Sequence, residues 1–234
     1  MQDFPRQAII LCGGSGTRLR PLTYEMPKSL ITVHGKSLIE HLLDLFMKYE
    51  VKDIFLSVGY KKEKIMQYFG NGERFGVNIS YIEENEPLGT AGPLKKSRHM
   101  LDENFFVTNG DELKDVNLAE MFNVHKQNNA AATIALTAVQ DPSRYGVVEL
   151  DGSKIRRFVE KPKKEEAPSN LINSGLYVLE RKVIDIIPDG FAMLEKNVFP
   201  QLAQKEELYG YQFSGQWFDT GTFERLEKVR KNWK

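Results

Sequence analysis

An early alternation of short apolar runs with helical patterns limits most strongly what this chain can fold into. Residues 7–12 form an apolar run stopped abruptly by Gly13-Gly14, which reads as a buried strand. Ser37-Leu-Ile-Glu40 is a capping-box pattern ahead of apolar residues at 38, 39, 42, 43 and 46, one face of a helix reaching about Tyr49. Residues 53–58 read as the next strand, 63–69 as a short helix and 78–82 as a third strand. A helix over 92–100 and a strand over 105–108 follow. Alternation at this pitch implies parallel strands joined by right-handed crossovers, with helices on both faces of the sheet.

The second half has a different rhythm. Residues 131–139, 145–150, 154–159 and 173–179 are strand-like with few helices between them, and Asp151-Gly152 reads as a two-residue hairpin turn. Helices are expected near 181–187, 194–204 and 222–231, and residues 161–169, with two prolines among many charges, form an exposed loop. No repeat, low-complexity stretch or linker interrupts the pattern, so residues 1–234 are expected to be one continuous domain. The expected architecture is a Rossmann-like three-layer α/β sandwich. Its central sheet would be mixed and mainly parallel, extended by antiparallel strands.

Composition removes several function classes. Lys and Arg number 32 and Asp and Glu number 32, so the chain has no net basic field with which to grip nucleic acid or an anionic membrane. At 41% hydrophobic and 27% charged residues it is an ordinary globular sequence, and a chain of 234 residues can bury about 70% of its unfolded surface. A single cysteine, Cys12, excludes an internal disulfide framework and any cysteine-rich metal site. Residues 1–6 lack a basic segment followed by a long apolar stretch, and the apolar run 8–12 is far short of the ~20 residues that span a bilayer. A cytoplasmic protein without a leader is expected.

The chemistry concentrates in loops. Leu11-Cys12-Gly13-Gly14-Ser15-Gly16-Thr17-Arg18 follows the first strand directly. Glycines there permit positive φ and close backbone approach, consecutive N–H groups make an anion-binding concavity, and Arg18 adds a charged fork for phosphate oxygens. The loop lacks the Gly-Lys-Ser/Thr ending of a P-loop, and Leu19 stands where a dinucleotide fingerprint needs its third glycine. The loop continues through Pro21 to Pro27-Lys28, where Lys28 would return a mobile positive charge to the glycines. Asn109-Gly110-Asp111 follows a parallel strand, so Asp111 faces the crevice where open α/β sheets bind ligands and can hold a divalent cation against phosphates.

Gly13-Gly14-x-Gly16-Thr17-Arg18-Leu19-x-Pro21-Leu22-Thr23, followed by Pro27-Lys28, closely resembles the signature of the sugar-1-phosphate nucleotidyltransferases. The resemblance implies that Leu11, Gly13, Gly14, Ser15, Gly16, Thr17, Arg18, Lys28 and Asp111 bind the nucleotide. It makes Asp111 a magnesium ligand and supplies a second, Asp219, from Gln216-Trp217-Phe218-Asp219-Thr220-Gly221-Thr222. Glu160-Lys161-Pro162 matches the element whose glutamate touches sugar hydroxyls and whose lysine touches the sugar phosphate. Asn173-Ser174-Gly175, with serine for the family's alanine, and Tyr145-Gly146 match sugar-side elements, implicating Asn173, Gly175 and Gly146. Pro87-Leu88-Gly89-Thr90-Ala91-Gly92 resembles the nucleobase loop and implicates Gly89 and Thr90. Only three residues follow Lys231, so the C-terminal left-handed β-helix of many relatives is not expected.

The implied reaction joins two polyanions, a nucleoside triphosphate and a sugar 1-phosphate, with release of pyrophosphate. Positioning and charge compensation dominate such chemistry. Arg18, Lys28, Asp111 and Lys161 are the implied catalytic residues and Mg2+ the implied cofactor. No general base is needed, in keeping with four histidines, His34, His41, His99 and His125, that show no ligand or triad spacing. Glu84 stands before Asn85-Glu86-Pro87, and a carboxylate accepts from the adjacent N1–H and 2-amino donors of guanine. GTP is therefore favoured, and Glu86-Pro-Leu-Gly-Thr-Ala-Gly92 with Glu195-Lys196-x-Val198-Phe199-Pro200 and Leu208-Tyr209 resembles mannose-1-phosphate guanylyltransferases. Heptose-1-phosphate guanylyltransferases, glucose-1-phosphate thymidylyl- or uridylyltransferases and a non-catalytic nucleotide-sugar sensor stay open, as does a homo-oligomer. A dinucleotide oxidoreductase is disfavoured because the strand over 53–58 is followed by no acidic residue at Gly59-Tyr60.

Overall fold

The computed structural model describes residues 4–234; residues 1–3, part of the stretch read for a leader, lie outside it. Its strands are β1 (Gln7–Leu11), β2 (Thr32–Val33), β3 (Lys36–Ser37), β4 (Asp53–Val58), β5 (Asn78–Glu83), β6 (Asn104–Asn109) and β7 (Glu112–Lys114). They continue as β8 (Ala132–Ala138), β9 (Gly146–Asp151), β10 (Lys154–Glu160), β11 (Leu171–Glu180), β12 (Leu208–Gln212) and β13 (Trp217–Asp219). The α-helices are α1 (Leu22–Glu25), α2 (Leu38–Met47), α3 (Lys62–Phe69), α4 (Gly92–Ser97), α5 (Leu118–Gln127), α6 (Phe199–Gln204) and α7 (Phe223–Asn232). None of them is long and apolar enough to cross a membrane.

Two compact units emerge, each assembled from segments distant in the chain. One comprises Pro5–Pro87, Thr108–Asp115 and Gly215–Lys234 and holds the glycine loop; the other comprises Phe4, Leu88–Val107 and Val116–Ser214. In the glycine-loop unit β1, β4 and β5 pair in parallel, with Ala8 opposite Ile54 and Ile54 opposite Ile79. Helix α2 supplies the crossover from β1 to β4 and α3 that from β4 to β5. The capping box that starts α2 is formed in both directions: the Glu40 N–H donates to Ser37 Oγ at 3.2 Å and the Ser37 N–H to Glu40 Oε2 at 2.7 Å. The helix buries Leu38, Ile39, Leu42, Leu43, Leu45 and Phe46. Each such side chain contributes about 1.5–3 kcal/mol of burial free energy.

One cluster explains how the chain ends of this unit meet. Leu19 and Ile31 from the loop after β1, Val33, Leu38, Leu113 of β7 and Leu226 and Val229 of α7 pack together, joined by Leu22, Phe218 and Trp233. Leu226 and Val229 lie three apart on one face of α7. Burying that stripe brings the 219–222 segment to the strands that carry Asp111.

The other unit holds a mixed sheet in the order β11-β8-β12-β10-β9. Its β12 runs parallel to β8, while β11–β8, β10–β12 and β9–β10 are antiparallel. The expected hairpin is displaced by one residue: Asp151 pairs with Lys154 and the two-residue loop is Gly152-Ser153. Gly152 takes the positive φ of +61° at the first loop position, and Asp151 stays in the ladder, bonded by the Arg156 guanidinium at 2.7 Å. The helix expected near 181–187 is a 3-10 turn over Arg181–Ile186. The one near 194–204 begins as a wide π turn, Leu194–Val198, before α6, whose first turn contains Pro200. Helix α5, which the strand-rich reading passed over, starts from an Asn117 cap whose side chain accepts from the Glu120 N–H at 3.2 Å.

His125 of α5 is buried between Thr133 Oγ1 at 3.0 Å and Asn104 Oδ1 at 3.2 Å. Burial pushes its pKa down from 6.5 to about 4, with Lys126 and Lys182 adding to the shift. The folded imidazole therefore stays neutral where the unfolded one takes up a proton. Stability is complete above the unfolded pKa and falls as the pH drops from 6.5 to about 4, by up to ~3 kcal/mol. Urea unfolding at pH 7 and pH 4.5 checks this: His125→Gln is expected to lose distinctly less stability on acidification than the native chain. An identical loss in both proteins would remove His125 as the cause.

Candidate active site

The glycine loop is fastened to the parallel strands from behind. The Cys12 N–H donates to the Ser57 carbonyl at 2.8 Å, the Tyr60 N–H to the Gly13 carbonyl at 3.2 Å, and Thr23 Oγ1 to the Gly16 carbonyl at 2.9 Å. Gly14, Ser15, Thr17 and Arg18 are exposed. Two glycines are required for different reasons. Gly16 sits at φ +59°, and a Cβ on Gly13 would stand 2.5 Å from the Glu84 carboxylate. At Gly14 a Cβ would meet nothing within 4 Å, so open space borders the backbone there. The Leu11 carbonyl accepts from the Gly110 N–H at 2.9 Å, which brings the Asp111 turn to the root of the loop.

Lys28 Nζ lies 2.5 Å from Asp111 Oδ2, with the lysine side chain 9% exposed and the aspartate 43%. Burial would raise the Asp111 carboxyl, but Lys28, then Lys114 and Arg18, outweigh it and hold it below the ordinary carboxylate range. Asp219 arrives through a two-stranded ribbon in which β13 pairs antiparallel with β7 and Asp219 stands opposite Glu112. Thr220 Oγ1 donates to the Asp111 carbonyl at 2.7 Å and closes the connection. Asp219 Oδ1 accepts from the Gly221 N–H at 2.5 Å, and Oδ2 is ion-paired with Arg225. Asp111, in the turn just before β7, and Asp219, on the partner strand, stand beside a loop open to phosphate oxygens and suit magnesium, which commonly takes one or two carboxylates and completes its shell with phosphates. Among the described residues no group of three or more His, Cys, Asp or Glu gathers as a metal site. Glu84 is oriented by Ser57 Oγ, which donates to its Oε1 at 2.7 Å. Burial pushes the Cys12 thiol up, with Asp111 adding to the shift, so it is an inert core side chain.

The remaining expected residues lie in the second unit. Gly89, at φ +74°, faces the Ala192 carbonyl at 2.3 Å from the position of a Cβ. Thr90 Oγ1 donates to Glu195 Oε2 at 2.7 Å and accepts from the Leu194 N–H at 2.8 Å. Gly146 pairs with Glu160 across β9–β10, and Glu160 Oε1 is 3.0 Å from Lys161 Nζ, whose side chain is 62% exposed. Asn173 is engaged at both ends of its amide, donating to Tyr177 Oη at 2.9 Å and accepting from the Gly175 N–H at 2.8 Å. Those bonds serve an irregularity of β11 between Asn173 and Tyr177, where Gly175 takes φ +67°.

A family model described as Nucleotidyl transferase matches residues 7–234. The chain belongs to the nucleotidyl transferase family. Among its relatives, a mannose-1-phosphate guanyltransferase of Yarrowia lipolytica is 45% identical over 92% of the chain and 60% of its own length. A mannose-1-phosphate guanylyltransferase catalytic subunit beta of Xenopus tropicalis is 42% identical over 92% and 61%. The chain thus spans about three fifths of the length of these curated relatives. Among solved structures, HddC from Yersinia pseudotuberculosis complexed with GMP-PN superposes with a TM-score of 0.82 at 26% identity, over 97% of this chain and 99% of that one.

Sequence reasoning missed the support under Asp111 and Asp219. The Lys114 side chain is fully buried, with Nζ 3.2 Å from both Glu112 Oε2 and Thr108 Oγ1. Glu112 also accepts from Asn109 Nδ2 at 3.0 Å and from the Trp217 indole N–H at 3.2 Å. Burial pushes the Glu112 carboxyl up and the Lys114 ammonium down, each restrained by the other. The available signal was the Glu112-x-Lys114 spacing, which puts both side chains on one face of a strand. Lys114→Met should leave Glu112 buried and uncompensated at a cost of about 3–5 kcal/mol. Thermal unfolding of that variant, and of the double Glu112→Gln/Lys114→Met, measures it. The double variant should recover part of the loss, and a single variant as stable as the native chain would show that the pair carries no such strain.

Proposed function

We propose that this chain transfers a nucleotidyl group from a nucleoside triphosphate, GTP foremost, to a sugar 1-phosphate, mannose 1-phosphate foremost, with release of pyrophosphate. The observation that carries the reading is the meeting, in one unit, of an open glycine loop, the Lys28–Asp111 ion pair and Asp219, whose neighbour Thr220 bonds the Asp111 carbonyl. The names of the relatives support the choice of base and sugar. Glu84, held by Ser57, offers the acceptor that a guanine edge needs.

In this reaction an oxygen of the sugar phosphate bonds to the α-phosphorus while the bond from the α-phosphorus to the pyrophosphate oxygen breaks. Glycine-loop N–H groups and Arg18 hold the leaving pyrophosphate, and Lys28 offsets charge on the α-phosphate. Glu160 accepts from sugar hydroxyls, and exposed Lys161 binds the attacking phosphate. Asp111 and Asp219 would hold magnesium, which when bound neutralises charge on both phosphates and orients them. The attacking phosphate is already ionised at neutral pH and needs no general base. We place the reaction in the cytoplasm, where nucleoside triphosphates are made and spent.

A matrix of triphosphates against sugar 1-phosphates, scored by pyrophosphate release, tests the assignment. GTP with mannose 1-phosphate is expected to be fastest, and faster release from dTTP or UTP would overturn the choice of base. Asp111→Asn is expected to keep its fold by circular dichroism and lose at least ~100-fold in turnover, the scale of a lost positioned electrostatic group. Near-native turnover would take Asp111 out of the mechanism.

A further inference from the structure

Both carboxylates assigned to magnesium already carry a protein cation. For Asp111 that cation is Lys28, which has a use elsewhere in the reaction. For Asp219 it is Arg225, a residue for which neither the family signature nor the proposed chemistry has a task.

The pair is built into the fold. Thr222 caps α7, its Oγ1 accepting from the Arg225 N–H at 3.3 Å, so the arginine backbone is fixed in the first helical turn. From there the guanidinium reaches back to Asp219 Oδ2, with the two side chains 19% and 14% exposed. The other carboxylate oxygen is taken by the Gly221 N–H. An incoming divalent ion at Oδ2 would share that oxygen with a guanidinium, a like-charge contact that a partly buried site screens poorly.

We propose that Arg225 is a positioning residue that occupies Oδ2 of Asp219 and competes with the divalent cation for it. The chain alone would then bind a divalent cation weakly, and more tightly beside a triphosphate, whose negative charge would compensate for the displaced pairing. The inference rests on the reading of Asp111 and Asp219 as metal ligands.

Mn2+ binding to the nucleotide-free protein, followed by electron paramagnetic resonance of the free ion, tests it without turnover. Arg225→Gln and Arg225→Leu, the second keeping an apolar stem, are expected to bind Mn2+ roughly tenfold or more tightly than the native chain, the scale of one hydrogen bond to a charged group. Adding Asp219→Asn to either should abolish the gain. Native-like Mn2+ affinity in whichever variant retains its fold overturns the competition, as does a gain that survives Asp219→Asn. The metal reading itself fails by a different sign: pyrophosphate release by the native chain that is indifferent to magnesium.

Discussion

An ammonium and a carboxylate 2.5 Å apart, Lys28 and Asp111, tie together segments that are 83 residues distant in the chain. A surface ion pair would contribute little. This one joins a lysine whose side chain is 9% exposed to an aspartate at the root of an open glycine loop, where Coulomb attraction is less screened. Around it the unit has to gather several more charges, Arg18, Glu112, Lys114, Asp219 and Arg225, close to one another. The gathering is tolerable because the signs alternate: each carboxylate faces a cation, Asp111 with Lys28, Glu112 with Lys114 and Asp219 with Arg225.

Such an arrangement suits the polyanionic substrates of the proposed reaction. The cations are pre-positioned by interactions with acids rather than left to wander, so little conformational freedom is lost when a phosphate arrives. Glycine at position 13 lets the Glu84 carboxylate close against the loop backbone, while Gly14 borders open space. The apolar cluster of Leu19, Ile31, Leu38, Leu113, Leu226 and Val229 supplies the rigidity beneath. It is the hydrophobic burial of α7 that delivers Asp219, and the capping threonine that aims Arg225.

Much of the scaffold was legible because its cues are local. The apolar run at β1 and the Ser37-Glu40 capping box act over a few residues and appear in the structure as expected. The Asp151-Gly152 turn was one residue out because a glycine suits either loop position, and only the pairing of Asp151 with Lys154 decides which it takes. Short strands such as β7 and β13 carried too few residues to show a period, and α5 buries only the short stripe Leu118, Met121, Phe122 and His125, one of them polar. At the site, Arg18, Lys28, Glu84, Asp111 and Asp219 could be named from their motifs, and the structure brings them into one unit. Asn173 was named for a sugar pocket, and its amide also holds the bend of β11, which no local cue announced.

By itself the sequence determined which backbone conformations each segment could hold, where an anion-binding loop would stand and which acids and bases were on hand. Those are properties of residue type and of spacings shorter than a helix. Only the tertiary structure decided which charges neutralise which, because Lys28 with Asp111, and the β7–β13 ribbon that carries Glu112 and Asp219, join residues far apart in the chain. The pairing of Asp219 with Arg225 spans a few residues, but it too depends on the turn and cap that hold the chain there. Electrostatic attraction acts through space and ignores chain separation, so it becomes visible once hydrophobic burial has brought the partners within reach.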